Sequence, residues 1–134
     1  MTAYHSPLRG ATHDRLEQAE AEARRAARAD DANADTHLQL GLLLCSRARW
    51  REAIEPLQRA VTLDPTHVMA HFQLGEAYNQ TDRLVEALEA YDVAAQLDHG
   101  NWRALRAMGV VLDRMGKSAE ATAAYRRARE AQRR

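Results

Sequence analysis

The sequence has very little of what marks secreted, membrane-spanning or disulfide-rich proteins. Cys45 is its one cysteine, so no disulfide forms within a chain, and this usage fits a reducing compartment. No apolar run approaches the roughly 18 residues that a bilayer-spanning helix needs. The first ten residues have no apolar stretch behind a charged one, which predicts no secretory signal. We therefore expect a cytoplasmic domain without membrane association, whose 134 residues bury a core without cross-links.

Charge is balanced over the whole chain but unevenly distributed along it. The 19 Lys+Arg and 19 Asp+Glu argue against a nucleic-acid binder that depends on overall positive charge. From Trp102 onward, however, nine basic residues stand against three acidic ones, whereas residues 1–101 contain ten and sixteen. The sequence thus predicts a basic C-terminal part and an acidic remainder.

A period of 34 residues organises the chain from Ala34 onward. Three columns are identical in all three periods: Gly41, Gly75 and Gly109; Ala53, Ala87 and Ala121; Ala60, Ala94 and Ala128. Other columns keep apolar residues in the same positions. A fixed period of this length is the signature of a repeat architecture.

Each period contains two predicted helices. From Trp50 to Leu63 apolar residues recur every three or four positions, the spacing of a helix with one buried face, and Asp35 to Ser46 forms a second, mostly apolar helix. Asp64-Pro65-Thr66 and residues 98–101 separate the periods, because proline and glycine end helices. We expect the recurring glycine of the first helix to face a recurring alanine of the second, so that the helices pack closely.

These residues resemble the tetratricopeptide repeat family. The matching motifs are Leu40-Gly41, Leu74-Gly75-x-x-Tyr78, Ala87-x-x-x-Tyr91-x-x-Ala94 and Asp64-Pro65. The sequence departs from the family where an aromatic residue is expected three positions before each Leu-Gly pair, since His37, His71 and Leu105 stand there. The resemblance implies an all-α fold, a right-handed superhelical solenoid of three helix pairs at residues 34–67, 68–101 and 102–134.

Both ends of the array differ from the middle. Residues 12–30 are predicted to form a capping helix that corresponds to the second half of an incomplete repeat, preceded by a flexible segment, 1–11. The last helix, from Ser118 to about Gln132, has Thr122 and Arg129 where earlier periods have apolar residues. Polar residues there suit a helix that has no successor.

Little in the sequence indicates chemistry. There is no glycine-rich phosphate loop, no serine-centred elbow and no paired-carboxylate motif. His67 and His71 could share a helix face, with His37 one period earlier, but no cysteine pair or carboxylate completes a metal site. Cys45 lies on an apolar helix where nothing adjacent would lower its pKa. We therefore predict no metal, no cofactor and no enzymatic activity.

In such arrays function usually lies on the surface lined by the first helix of each pair. The predicted groove residues are Asp35, Leu38, Gln39, Leu42, Met69, Phe72, Gln73, Glu76, Asn79, Arg103, Arg106 and Val110. The apolar members favour burial of a partner, and Arg103 and Arg106 favour a carboxylate. In the alternative interpretation, the apolar members pack against neighbouring repeats or under the first ten residues.

The resulting functional hypothesis is a non-catalytic interaction module whose groove binds a peptide or helix of a partner protein, with acidic residues at one end of the ligand. The alternative is a structural unit that forms homo-oligomers by end-to-end stacking of repeats. RNA binding by the basic last repeat is disfavoured because no aromatic residues for base stacking are expected beside its arginines.

Overall fold

The computed structural model describes residues 7–134, which form seven α-helices and no strand. The helices are α1 (Pro7–Ala29), α2 (Ala34–Ser46), α3 (Trp50–Leu63), α4 (Val68–Gln80), α5 (Leu84–Leu97), α6 (Trp102–Arg114) and α7 (Ser118–Gln132). The predicted all-α fold is confirmed, a right-handed solenoid of three pairs, α2–α3, α4–α5 and α6–α7, preceded by α1. Residues 1–6 of the predicted flexible segment lie outside the described residues. Its remaining residues belong to α1, which begins at Pro7; proline suits a helix start because the first N–H groups are unsatisfied there anyway.

Helices that follow one another in the chain are also neighbours in space. The two helices of each pair make the most extensive contacts, and each second helix then packs on the first helix of the next pair. The first helices α2 and α4 also touch. Packing is therefore local in sequence throughout the array, as expected of a solenoid.

The turn inside each pair has one backbone geometry, repeated with the period of 34. Ala48, Asp82 and Gly116 have φ of 58°, 61° and 77°. The amide that follows each of them donates to a carbonyl five residues back at 2.9 Å, as from Arg49 to Leu44. This left-handed residue followed by a 6→1 bond ends the first helix of each pair and is normally assigned to glycine.

Turns between pairs are closed by side chains. Asn33, His67 and Asn101 cap the first helices α2, α4 and α6 by accepting from backbone amides. The His37 and His71 rings each hydrogen-bond through Nε2 at 2.8 Å to a carbonyl of the preceding turn, those of Asp31 and Pro65. Each of these histidines is therefore part of a turn between pairs. The turn recurs with the period of 34, which explains why the two histidines are one period apart.

The recurring glycines lie under large side chains of the second helix, which the sequence interpretation did not name. A Cβ on Gly41 would stand 2.5 Å from Leu57 Cδ2, and a Cβ on Gly75 would stand 2.7 Å from two ring carbons of Tyr91. Gly109 has the same relation to Tyr125, at 2.7 Å. The missing side chain therefore makes room for a ring or an isobutyl group, and the close approach of the two helices follows from that.

The first described helix, α1, packs on α2 in the same way as α3 packs on α4. In α3, the side that faces α2 contains buried Ala60. The equivalent residue of α1, Ala26, is exposed, so this side of α1 is open. Ion pairs contribute to its attachment: Glu20 accepts from Arg49 Nη1 at 2.5 Å and lies 3.4 Å from Arg47 Nη1.

Candidate functional site

All twelve predicted groove residues lie on the first helices α2, α4 and α6, but their accessibility differs. Asp35, Gln39, Met69, Arg103, Arg106 and Val110 are exposed; Leu42, Phe72, Gln73, Glu76 and Asn79 are half-buried; Leu38 is buried. Accessibility thus varies along the row: α2 has two exposed members, α4 has one, and all three members on α6 are exposed. The groove itself stays a prediction.

Leu38 and Cys45 are among the buried side chains of α2. Leu38 is only 5% exposed and Cys45 only 8%. Burial raises the pKa of the Cys45 thiol from 9.0 to about 11, and the nearby carboxylate of Glu76 acts in the same direction. The thiol is therefore protonated and unreactive at neutral pH.

Between α4 and α6 the row stays open. Met69 is 52% exposed and Val110 39%. They are two of the four large apolar side chains that are exposed in the described chain. Half-buried Phe72 packs with its ring centroid 5.5 Å from that of Tyr91. Arg103 and Arg106 follow Met69 and Phe72 by one period, so they occupy the equivalent positions on the neighbouring first helix. We call these five residues the α4–α6 patch.

The two arginines of the patch carry positive charge. Neither takes part in an ion pair within residues 7–134. The guanidinium carbon of Arg103 lies 4.5 Å from the ring centroid of Trp102, a cation–π contact. Trp102 and Arg103 are adjacent in the sequence. The expectation that no aromatic residue stands beside the arginines of the last repeat is therefore wrong.

Two other predicted groove residues are engaged within the protein. Tyr91 donates its hydroxyl to Glu76 at 2.5 Å, and burial, followed by this carboxylate, raises the pKa of Tyr91. Arg114 donates to the Asn79 carbonyl at 2.8 Å and also pairs with Asp82. These contacts hold α4 against α5 and α6, so Glu76 and Asn79 shape the edge of the patch.

The last pair has a similar contact between its tyrosine and a carboxylate of its first helix. Tyr125 donates to Asp113 at 3.1 Å. Burial and the Asp113 carboxylate raise the pKa of Tyr125, while the positive charge of Arg106 opposes the rise. The charge of Arg106 thus acts on the Tyr125 hydroxyl, on the side of the patch that faces α7.

A second concavity lies between α1 and α3, on the other side of the array. It has a volume of about 740 Å³, and Ala27, His37, Leu40 and Pro56 are among the residues that line it. Ion pairs bridge it, Arg59 to Asp31 at 3.1 Å and Arg24 to Glu52 at 3.6 Å. Four of its charged side chains are thus already paired with one another, in contrast to the arginines of the patch.

Comparison with known proteins agrees with this architecture. Residues 38–101 match a family model described as tetratricopeptide repeat. These residues belong to the tetratricopeptide repeat family. The resemblance stated from the sequence is confirmed, and among curated proteins nothing matches the chain.

Solved structures of MamA have the same fold. One crystal structure of MamA superposes with a TM-score of 0.84 at 24% identity, covering 88% of this chain and 69% of that one. MamA of Desulfovibrio magneticus RS-1, from residue 41 to its end, superposes with a TM-score of 0.83 at 20% identity, covering 92% and 70%. Identity at this level shows the shared solenoid and nothing finer.

The tetratricopeptide repeat array is an architecture of protein-interaction scaffolds, typically without catalytic activity. Of the helices in residues 7–134, none has the length and apolarity that crossing a membrane requires. In the same range no three or more His, Cys, Asp or Glu side chains converge as metal ligands would.

Proposed function

We propose that the tetratricopeptide array binds a peptide or helix of a partner protein along its first helices, and that the α4–α6 patch is the centre of this site. The observation that carries the proposal is the combination of exposed Met69 and Val110 with Arg103 and Arg106, which form no ion pair within residues 7–134. Scattered exposed apolar residues are ordinary, but two beside a pair of cations on neighbouring helices form a mixed surface.

The chemistry of the patch supports an amphipathic ligand. Met69, Val110 and the accessible part of Phe72 would cover an apolar side chain of the ligand. Arg103 and Arg106 would take one or two carboxylates, and a guanidinium does this with two parallel hydrogen bonds. Trp102 holds the Arg103 guanidinium by stacking, which lowers the entropy that binding has to remove. An affinity near micromolar, about −8 kcal/mol, would be ordinary for such a site.

The predicted groove residues of α2 would have a smaller role in binding. Asp35, Gln39 and the accessible part of Leu42 would contact the far end of a long ligand. Leu38 would contribute through the shape of the surface and not by contact. The acidic Asp35 stands at the end opposite the arginines, so a ligand with acidic residues near α6 would bind in one direction.

A displayed library of short acidic and neutral peptides tests the proposal. We expect enrichment of sequences that place carboxylates next to an apolar residue, and a loss of at least about tenfold in their affinity for the Arg103→Ala/Arg106→Ala variant. The matched control is Arg25→Ala/Arg51→Ala, which removes two exposed arginines of α1 and α3. Equal loss in both variants, or no loss in either, would remove the arginines from the site.

The alternative, homo-oligomers formed by end-to-end stacking of repeats, has its own support. Both terminal helices, α1 and α7, have open sides, with Ala26 exposed at one end and Thr122 at the other. Light scattering across protein concentration tests the oligomers as a rise in mass, and peptide binding is measured separately, so each idea is tested on its own.

A further inference from the structure

Opposite charges are concentrated in two adjacent repeats. Residues 68–101 contain one basic and six acidic residues, a balance of −5, and residues 102–134 contain nine and three, a balance of +6. The first 67 residues contain nine and ten and are nearly neutral. The acidic excess expected from the sequence is thus confined to the second repeat and is absent from the opposite end of the array.

These charges are not neutralised within one chain. In the described residues, Arg114–Asp82 is the one ion pair that joins the two repeats, and it lies at the ends of the first helices. Glu89 on α5 and Arg126 and Arg129 on α7 take part in no ion pair within residues 7–134. α5 and α7 both pack on α6, which separates them.

Two of the three acidic side chains of α5 lie on one helical face. Val85, Glu89, Asp92 and Gln96 are spaced by four, three and four residues, which aligns them along the helix. Val85 is 56% exposed, Glu89 and Gln96 are exposed, and half-buried Asp92 accepts from Gln96 at 2.8 Å. We call this face the α5 stripe.

A basic stripe with the same spacing lies on α7. It consists of Thr122, Arg126, Arg129 and Arg133, all exposed. Thr122 and Arg129 are equivalent to Ile54 and Val61 of α3, which pack against the following helix pair in the core. The α7 stripe is therefore part of a face of helical dimensions that nothing in the described chain covers.

We propose that the α7 stripe of one chain docks on the α5 stripe of a second copy. Matched spacing allows Arg126 and Arg129 to oppose Asp92 and Glu89, while Val85 adds apolar contact. The two stripes are different surfaces, so the contact is heterologous, and each chain presents one of each to its neighbours. The contact weakens with salt, because exposed charges are screened within about 10 Å at moderate ionic strength. It leaves the α4–α6 patch accessible.

Charge reversal with complementation tests the contact. The α7 variant is Arg126→Glu/Arg129→Glu and the α5 variant is Glu89→Arg/Asp92→Arg. For the wild type we expect a weight-average mass that rises with concentration at low salt from the 15.1 kDa of one chain to at least about twice that value, and returns to it at high salt. Each variant alone should stay at the mass of one chain, because two stripes of like charge then face each other. An equimolar mixture should associate again, because both contacts between unlike variants are complementary.

A matched control makes the same change in net charge as the α7 variant, at another place. Arg25→Glu/Arg51→Glu should associate as the wild type does, and circular dichroism should give all variants the same helix content. If the α5 variant loses helix content, Glu89→Arg alone, at an exposed position, replaces it. A wild type that stays at the mass of one chain, variants that associate normally, or a mixture that stays dissociated would each overturn the proposal. Peptide binding is measured separately, so failure here leaves the proposed function standing.

Discussion

Tyr91 lies directly over Gly75, with no room for a side chain between the two helices of the middle pair. A Cβ at position 75 would stand 2.7 Å from Cδ1 and Cε1 of the ring. Tyr91 is fully buried, and its hydroxyl is tied to Glu76 at 2.5 Å, so the ring cannot move aside without losing a hydrogen bond. The closeness of the two helices therefore depends on this glycine.

Replacement of Gly75 should consequently be costly. We expect Gly75→Ala to lower the free energy of unfolding by about 1–3 kcal/mol, the usual range for overpacking, and Gly75→Leu to unfold the middle pair. The control is Gly100→Ala, where the nearest atom to a new Cβ is Asp98 Oδ1 at 3.7 Å and the change should stay within about 0.5 kcal/mol. Urea denaturation measures both, and equal stability of the two alanine variants would contradict the packing.

Ala48→Gly should stabilise the protein. Ala48 has φ of 58°, a conformation that costs an L-residue roughly 1–2 kcal/mol and glycine nothing. The greater freedom of glycine in the unfolded chain removes part of this gain, so we expect a net increase of about 0.5–1 kcal/mol. Gly116→Ala, at the equivalent turn with φ of 77°, should change stability in the opposite direction. Urea midpoints that move in the same direction in both variants would contradict the conformational cost assigned to Ala48.

Alkaline pH should destabilise the fold partly through Cys45. The folded-state pKa of this thiol is raised from 9.0 to about 11, so the folded chain holds the proton more tightly than the unfolded chain. Its contribution is complete below pH 9 and is lost as the pH rises through 11, by about 2–3 kcal/mol in total. Buried Tyr91, whose pKa is also raised, adds a loss that begins near 10.0. Unfolding free energies of Cys45→Ala should therefore fall less steeply over this interval than those of the wild type, and parallel curves would exclude the thiol.

Glu20→Ala should loosen α1. Glu20 is 14% exposed and pairs with Arg49 and with Arg47, which is 13% exposed, so its removal leaves a largely covered guanidinium without its carboxylate. We expect local opening of α1 to become easier by about 1–3 kcal/mol, and trypsin cleavage at the arginines of this helix to become roughly tenfold faster or more. Glu22→Ala, an exposed position on the same helix, is the control. Equal cleavage of both variants would show that these ion pairs do not hold α1.

The repeat could be predicted from the sequence because it depends on strict periodicity. Apolar spacing predicted the helix from Trp50 to Leu63 with the ends that the structure has, and the column of glycines predicted close packing. Periodicity does not, however, say how a helix is rotated about its axis. It therefore could not show that the ring of Tyr91 lies over Gly75, and it could not show that Leu38 is buried.

Contacts between different helices and turns also could not be predicted from the sequence. His67 and His71 have a spacing that suits metal ligands on one helix face, with His37 one period earlier, but His37 and His71 each bond to the turn before their helix and His67 caps α4. Ala48 gave no sign of its left-handed conformation, because glycine occupies that position only in the last pair, at Gly116. The cluster of Glu20, Arg47 and Arg49 joins residues nearly thirty positions apart, which no local pattern reveals.

Contacts between successive helices also determine how the chain reaches its native state. Almost every partner of a helix is the next helix along the sequence, so each step of folding closes a short loop and loses little entropy. Chains with such low contact order fold on the order of microseconds to milliseconds. Folding can start in any of the three pairs and spread to its neighbours, and a defect in one pair leaves the others able to serve as a nucleus.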